Sequence, residues 1–195
     1  MCIRDRQSFV VKYSHSEPLT GLLLAAAAYL FVTQRRTLGF VALGLFAGSK
    51  QYLAVLAPLL VLYARTPGAV AVMAVAAALP WLPFVLLDAR ALWAAAFDVH
   101  LTRPVRKDAL TLNAWLLANG RETVPRWIPL ASGLFVAAIA GLRHGLSVAG
   151  LHLAIACTLI VTLFLSPQAF ANYYLLVAWA LILGIAATPM SQSTA

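Results

Sequence analysis

The chain has 195 residues, 63% hydrophobic and only 10% charged, where soluble domains carry about 25% charged and about 45–50% apolar residues. Its apolar residues gather into runs that a soluble domain of this size could not enclose on every helix face, which argues against an ordinary globular protein. The net charge of +8 would suggest nucleic acid in a soluble chain. Here the cations lie between hydrophobic runs, so membrane lipids are the expected partners, with no nucleic acid.

The expected class is therefore all-α: a polytopic transmembrane helix bundle of about six to seven segments, multi-pass in a bacterial plasma membrane, with one long amphipathic extramembrane loop. The chain reads as a single transmembrane domain. It comprises an N-terminal stub (1–17), helices (18–87), a basic interfacial loop (88–126), helices (127–188) and a tail (189–195). Residues 1–6, Met-Cys-Ile-Arg-Asp-Arg, lack the apolar core of a signal peptide and look like a spurious leader. The chain is accordingly expected to be a C-terminal fragment. Cys2 and Cys157 form no disulfide framework and no metal spacing.

The first run, residues 18–33, is a Leu/Ala helix closed by Gln34-Arg35-Arg36. Residues 38–64 are ambiguous. As one helix they would extend roughly 40 Å at about 1.5 Å per residue. Lys50 would then lie near the middle, at a cost of about 2.5–3.5 kcal/mol on insertion scales. As two short helices they would break at Gly48-Ser49-Lys50 and leave Lys50 at an aqueous rim, each half being too short to cross a full bilayer unaided. Residues 68–87 form the next helix, kinked by Pro80 and Pro83, with Trp81 near an interface. Residues 128–142, 146–165 and 169–187 follow, the last two separated only by Ser166-Pro167-Gln168.

Between Asp88 and Arg126 lies the one long polar segment. Within it Leu92, Trp93, Ala96, Phe97 and Val99 recur at helical spacing, as in an amphipathic helix on a membrane surface. Its side follows from residues 38–64. Two short helices place it with the N-terminus, on a side holding ten of the fourteen basic residues. A single span places it with Arg35 and Arg36, eight basic residues against five, and the positive-inside rule mildly favours that arrangement.

Four groups of residues could carry chemistry. Lys50 is an intramembrane cation, hence a site candidate, with Gln51 and Tyr52 as neighbouring donors; alternatively it snorkels to the interface. Arg103, Arg106 and Lys107, with His100 before them and Asp108 after, suit a phosphate or pyrophosphate, since Arg offers a bidentate fork and Lys a point charge. The plain alternative is a solvated loop on anionic headgroups. Gln168 and Asn172 stand four apart, on one helix face at the membrane rim, followed by Tyr173 and Tyr174 as interfacial anchors. Glu17, after Ser14-His15-Ser16, is a rim carboxylate or a helix-start acid favoured by the dipole. His152, among Leu151, Leu153 and Ile155, is expected to pack neutral against a neighbouring helix. No nucleophilic triad, P-loop, dinucleotide fingerprint or metal cluster is present in the sequence, and no cofactor is expected.

Several of these segments together resemble the multispanning GT-C-type glycosyltransferases that use polyprenyl-phosphate sugars. Gly44-Leu45-Phe46-Ala47-Gly48-Ser49-Lys50-Gln51 is similar to that superfamily's small-residue helix followed by Lys. His100-Leu101-Thr102-Arg103-Pro104-Val105-Arg106-Lys107-Asp108 looks like the long loop of a bacterial subgroup. Gln168-Ala169-Phe170-Ala171-Asn172-Tyr173-Tyr174 resembles its C-terminal hairpin, as Ser16-Glu17-Pro18-Leu19 does its first helix start. The resemblance spans about residues 14–185. It implies a mannosyltransferase-like hexosyltransferase that moves a sugar from a polyprenyl-phosphate donor at the extracytoplasmic face. Lys50, Arg103, Arg106 and Lys107 would neutralise phosphate, and Gln168 and Asn172 would bond substrate or loop. It would also set Lys50, the loop and Gln168 on one face, favouring the broken helix over the charge count. The superfamily's catalytic acid lies upstream of this sequence, so the chain is expected to be inactive alone. Competing readings are a transporter or flippase, with Lys50 and His152 on one path, and a scaffold whose basic loop binds anionic lipid.

Overall fold

A computed structural model describes residues 17–98, 102–143 and 147–188, and these are mainly helical with no strand among them. In chain order the helices are α1 (Glu17–Val32), α2 (Arg36–Gly48), a 3-10 helix (Gln51–Leu56) running into α3 (Ala57–Ala64), and α4 (Pro67–Ala78). Next come α5 (Leu82–Trp93), extended by one π-helical turn (Ala94–Asp98), and α6 (Leu112–Ala118). The chain then forms α7 (Trp127–Arg143), α8 (Val148–Leu165) and α9 (Ala171–Ala186).

Ala and Leu, strong apolar helix formers, supply half of the helical residues, and the punctuation between the helices is local. Thr66, Thr111 and Ser147 are extended N-cap residues whose hydroxyls accept from Ala69, Ala114 and Gly150. Gln34 and Arg65 end α1 and α3 in the left-handed region, at φ 62° and 59°. Each reverses the chain so that the next helix returns along the last.

The open question at residues 38–64 is answered by Lys50, whose backbone is extended (φ −148°, ψ 135°) between α2 and the 3-10 helix. The two halves run antiparallel. The end of α2 meets the start of α1 through Thr20 and Ser49, whereas Tyr63 at the end of α3 packs its ring on Phe31 and Phe40 beside the α1–α2 turn. The single-span arrangement is therefore overturned, and with it the loop position that the charge count favoured. The break lets Lys50 stand at one end of the bundle instead of midway along a helix.

The molecule thus has two ends. At the Lys50 end lie the start of α1, the α4–α5 bend, the basic loop and the α8–α9 turn. At the Arg65 end lie Arg36, Arg65 and Ser147. Seven legs alternate between them: α1, α2, residues 51–64, α4, α7, α8 and α9. Among these α8 is central, packed against α1, α3, α7 and α9. Small residues allow the closest approaches. Gly44 and Gly48, four apart, lie against Met73 and Ala77 of α4, where a Cβ would strike backbone. Gly133 of α7 lies against Thr162 and Val55. The buried hydroxyls of Thr158 and Thr162 bond the carbonyls one turn back, so α8 buries them without partners from other helices.

Among the described residues only α8, with 18 residues, is long and apolar enough to cross a membrane by itself. The pair Pro67–Ala78 and Leu82–Asp98 reaches that length only across a bend of 66°. The other apolar helices have 10–17 residues, shorter than the six to seven spans expected from sequence. Large side chains such as Leu22, Tyr29, Val75, Phe135, Leu142 and Ile185 nonetheless face outward.

Candidate functional site

The Lys50 end is built on the α2–α4 contact. Because Gly48 has no side chain, α4 approaches closely, and the Trp81 indole Nε1 donates to the Gly48 carbonyl at 2.6 Å. One residue on, the Ser49 hydroxyl donates to the Phe46 carbonyl at 2.7 Å, which closes the helix before the chain extends at Lys50. Apolar cavities flank Trp81. One, of about 440 Å³, is lined by Ala47, Gly48, Leu53, Met73, Trp81 and Phe97, with Lys50 and Gln51 as its polar residues. The other, of about 830 Å³, runs between the start of α1 and α5, with Ser49 and Asp88 among Leu19, Leu45, Phe84 and Leu92.

The basic loop is clasped to the turn between α8 and α9. Gln168 Nε2 donates to the Pro104 carbonyl at 2.8 Å, and the Leu110 amide donates to the Ala169 carbonyl at 2.7 Å. The Tyr174 hydroxyl donates to the Leu110 carbonyl at 2.6 Å. Deeper in the loop Asn113, 1% exposed, donates to the Leu165 carbonyl at 2.7 Å and accepts from the Val124 amide at 2.6 Å. One buried amide therefore ties the start of α6, the strand of chain leading into α7, and the last turn of α8.

Arg106 makes a two-point contact with Asp108, Nε to Oδ1 at 3.0 Å and Nη2 to Oδ2 at 2.6 Å. Its guanidinium also covers the Phe170 ring at 4.8 Å. That hydrogen bonding holds the Asp108 carboxyl below its ordinary value. From Phe170 a line of ring contacts continues to Tyr173 and then Tyr52, with centroids 6.4 and 5.4 Å apart. Tyr52 is two residues from Lys50. The loop and Lys50 thus share an end and are joined through aromatic rings.

Lys50 and Gln51 line one cavity, while Arg103 and Lys107 are exposed on the loop and Gln168 lines neither cavity beside Trp81. Gln168 and Asn172 do not share a helix face. Residues 166–170 are non-helical and α9 starts at Ala171, because Phe170 is extended. Gln168 instead fastens the loop, and Asn172 lies in the first turn of α9, half-buried. His100 and the Glu17 side chain lie outside the described residues. His152 is fully buried in α8, its Nδ1 donating to the Val148 carbonyl at 2.7 Å. It lines neither cavity beside Trp81.

The expected surface helix around Trp93 and Phe97 is a continuation of α5. It is restarted at Asp88, whose Oδ1 accepts from the Ala91 amide at 2.9 Å after a non-helical residue. Sequence alone passed over Asn113 and the whole of α6, and assigned Trp81 only an interfacial place, with no sign of its bond to Gly48. A signal for α6 was present: Thr111 as N-cap, an apolar Leu/Ala/Trp/Leu/Leu run, then Asn119-Gly120 with Gly120 at φ 65°. Comparison with known proteins found no matching family model, no similar curated protein and no similar solved structure.

Proposed function

We propose that this chain is the membrane part of a glycosyltransferase that takes a sugar from a polyprenyl-phosphate donor. The observation that carries the reading is Lys50, the one cation on a mainly apolar cavity of about 440 Å³, at the same end as the Arg103–Lys107 cations. An apolar cavity with a single cationic residue suits a ligand with a hydrocarbon tail and an anionic head. The resemblance of residues 44–51, 100–108 and 168–174 to the GT-C superfamily supplies the sugar. Multi-pass insertion is part of the same reading. Residues 51–64, with six 3-10 residues at about 2.0 Å and eight α residues at about 1.5 Å, extend about 24 Å. The 16 residues of α1 extend about as far. Legs of this length fit a bilayer core of about 30 Å with local thinning, and the outward Leu, Val and Phe side chains would face lipid.

The test is equilibrium binding of farnesyl phosphate to the detergent-solubilised chain, followed by tryptophan fluorescence, since Trp81 lines the cavity. Saturable binding that weakens about tenfold in Lys50→Ala, as for one lost charge-assisted contact, supports the reading. Polyprenyl-phosphate mannose should compete. Equal binding of farnesol, or no effect of Lys50→Ala, removes the phosphate site. Failure of the sugar-bearing donor to compete removes the glycosyltransferase.

A further inference from the structure

The Arg65 end holds a cavity that the proposed donor site does not use. It encloses about 540 Å³ between the α1–α2 turn, the α3–α4 turn and the start of α8. Its wall is a cluster of three rings, Phe31, Phe40 and Tyr63, mutually edge-to-face with centroids 5.1–6.2 Å apart. Arg36 and Arg65 line it, both exposed.

No described carboxylate is near. Asp88 lines the cavity at the other end, and Asp98, Asp108 and Glu122 belong to the segment that follows it. Two arginines on one cavity whose lining includes no carboxylate suit an anion, and guanidinium forks match phosphate oxygens. Thr66 and Ser147 line the cavity as N-caps of α4 and α8. Because α2, α4 and α8 begin at this end while α1, α3 and α7 finish there, the helix dipoles offset one another and the positive field is that of the arginines.

We propose that this cavity binds a phosphate group carried on an apolar substituent, with the phosphate held by Arg36 and Arg65 and the substituent against the Phe31–Phe40–Tyr63 wall. A phospholipid headgroup or a small soluble phosphate ester could present this chemistry. The proposal stands whether or not the donor reading of Lys50 holds.

The test uses the full chain in neutral detergent, in a background of Lys50→Ala with Arg103→Ala and Lys107→Ala so that those cations of the other end do not contribute. Titration calorimetry is run with dioctanoyl phosphatidate, with phenyl phosphate, and with dioctanoyl phosphatidylcholine as the zwitterionic control. We expect phosphatidate or phenyl phosphate to bind saturably and the control at least tenfold more weakly. Binding of phosphatidate alone assigns the site to lipid; binding of phenyl phosphate as well assigns it to the phosphate ester itself. Arg36→Gln with Arg65→Gln should weaken binding at least tenfold, while Arg36→Lys with Arg65→Lys should recover part of it. Circular dichroism melts identify any variant that fails to fold, and the lysine pair, which keeps both charges, serves as the readout if the glutamine pair does. Equal binding of phosphatidylcholine overturns the proposal, as does unchanged affinity in the glutamine pair or, where that pair does not fold, absence of binding in the lysine pair.

Discussion

Asn113→Ala isolates the clasp on the basic loop. In the wild type this side chain is 1% exposed and makes a bond of 2.7 Å to the Leu165 carbonyl and one of 2.6 Å from the Val124 amide. Truncation strands both partners in a partly buried place. Taking about 1–1.5 kcal/mol per bond, the loss is about 2–3 kcal/mol, which corresponds to an opening constant about 30- to 150-fold larger. The loss should be local. Leu110 stays fastened to Ala169 and to Tyr174 by separate bonds, and the two bonds of Asn113 go to α8 and to the chain before α7, not to α1–α4. Hydrogen exchange read by mass spectrometry should show protection falling in peptides around α6 and Val124 while α1 and α2 are unchanged. Asn113→Asp keeps the acceptor for Val124 but cannot donate to Leu165, so it should be intermediate at Val124. Unchanged protection in Asn113→Ala would refute the assignment of this residue as the hub, and an equal loss in every helix would refute the separation of loop from bundle.

Gly48→Ala should lower the stability of the solubilised chain by about 1–3 kcal/mol through overpacking, because the new Cβ meets the backbone of Ala77, whereas Gly68→Ala has open space and should be neutral or slightly stabilising; thermal melts that rank them the other way would contradict the close α2–α4 packing. The Asp108 carboxyl is held low by Arg106, so its contribution to the clasp is present above the ordinary carboxylate range and is lost as pH falls through the lowered value. A carbon-13 titration should show that midpoint rise toward the ordinary value in Arg106→Gln, and an identical midpoint would reject the pairing. Because Arg106 is engaged by Asp108 and Phe170, Arg106→Ala should raise hydrogen exchange around residues 104–110, while Lys107→Ala, exposed and outside the clasp, should leave exchange there unchanged; equal effects of the two would refute the distinction.

Much of this fold was legible because apolar runs and their breakers are local signals. Pro80, Gln34-Arg35-Arg36 and Ser166-Pro167 each mark a bend that the structure contains. Two features were less accessible. Whether Gly48-Ser49-Lys50 breaks a helix depends on tertiary contacts, since Gly and Ser are tolerated within helices; Trp81, 33 residues away, bonds the Gly48 carbonyl and helps to hold that end. The clasp at Gln168 was misread for a related reason. Spacing of four suggests one helix face, but a side chain that bonds a carbonyl 64 residues away leaves no periodic trace. Asn113 was missed because a lone Asn among Leu, Ala and Trp looks like a surface residue, and only the convergence of α8 and the chain before α7 makes it a hub.

The break at Lys50 joins fold and proposed chemistry in one feature. A continuous helix through residues 38–64 would hold the ammonium midway along an apolar leg, far from the loop cations. Breaking it costs backbone hydrogen bonds, and the structure offsets part of this locally: Ser49 bonds Phe46, Trp81 bonds the Gly48 carbonyl, and the chain resumes as a 3-10 helix immediately after Lys50. That 3-10 stretch also has a geometric consequence. At about 2.0 Å per residue its six residues extend about 12 Å, where an α-helix would extend about 9 Å. The returning leg, only 14 residues long, thereby comes close to the reach of the 16-residue helices α1 and α9 and delivers Arg65 to the opposite end. The same backbone choice therefore positions the cation of one cavity and one of the two arginines of the other, so a substitution that makes the 3-10 segment α-helical should disturb both ends at once.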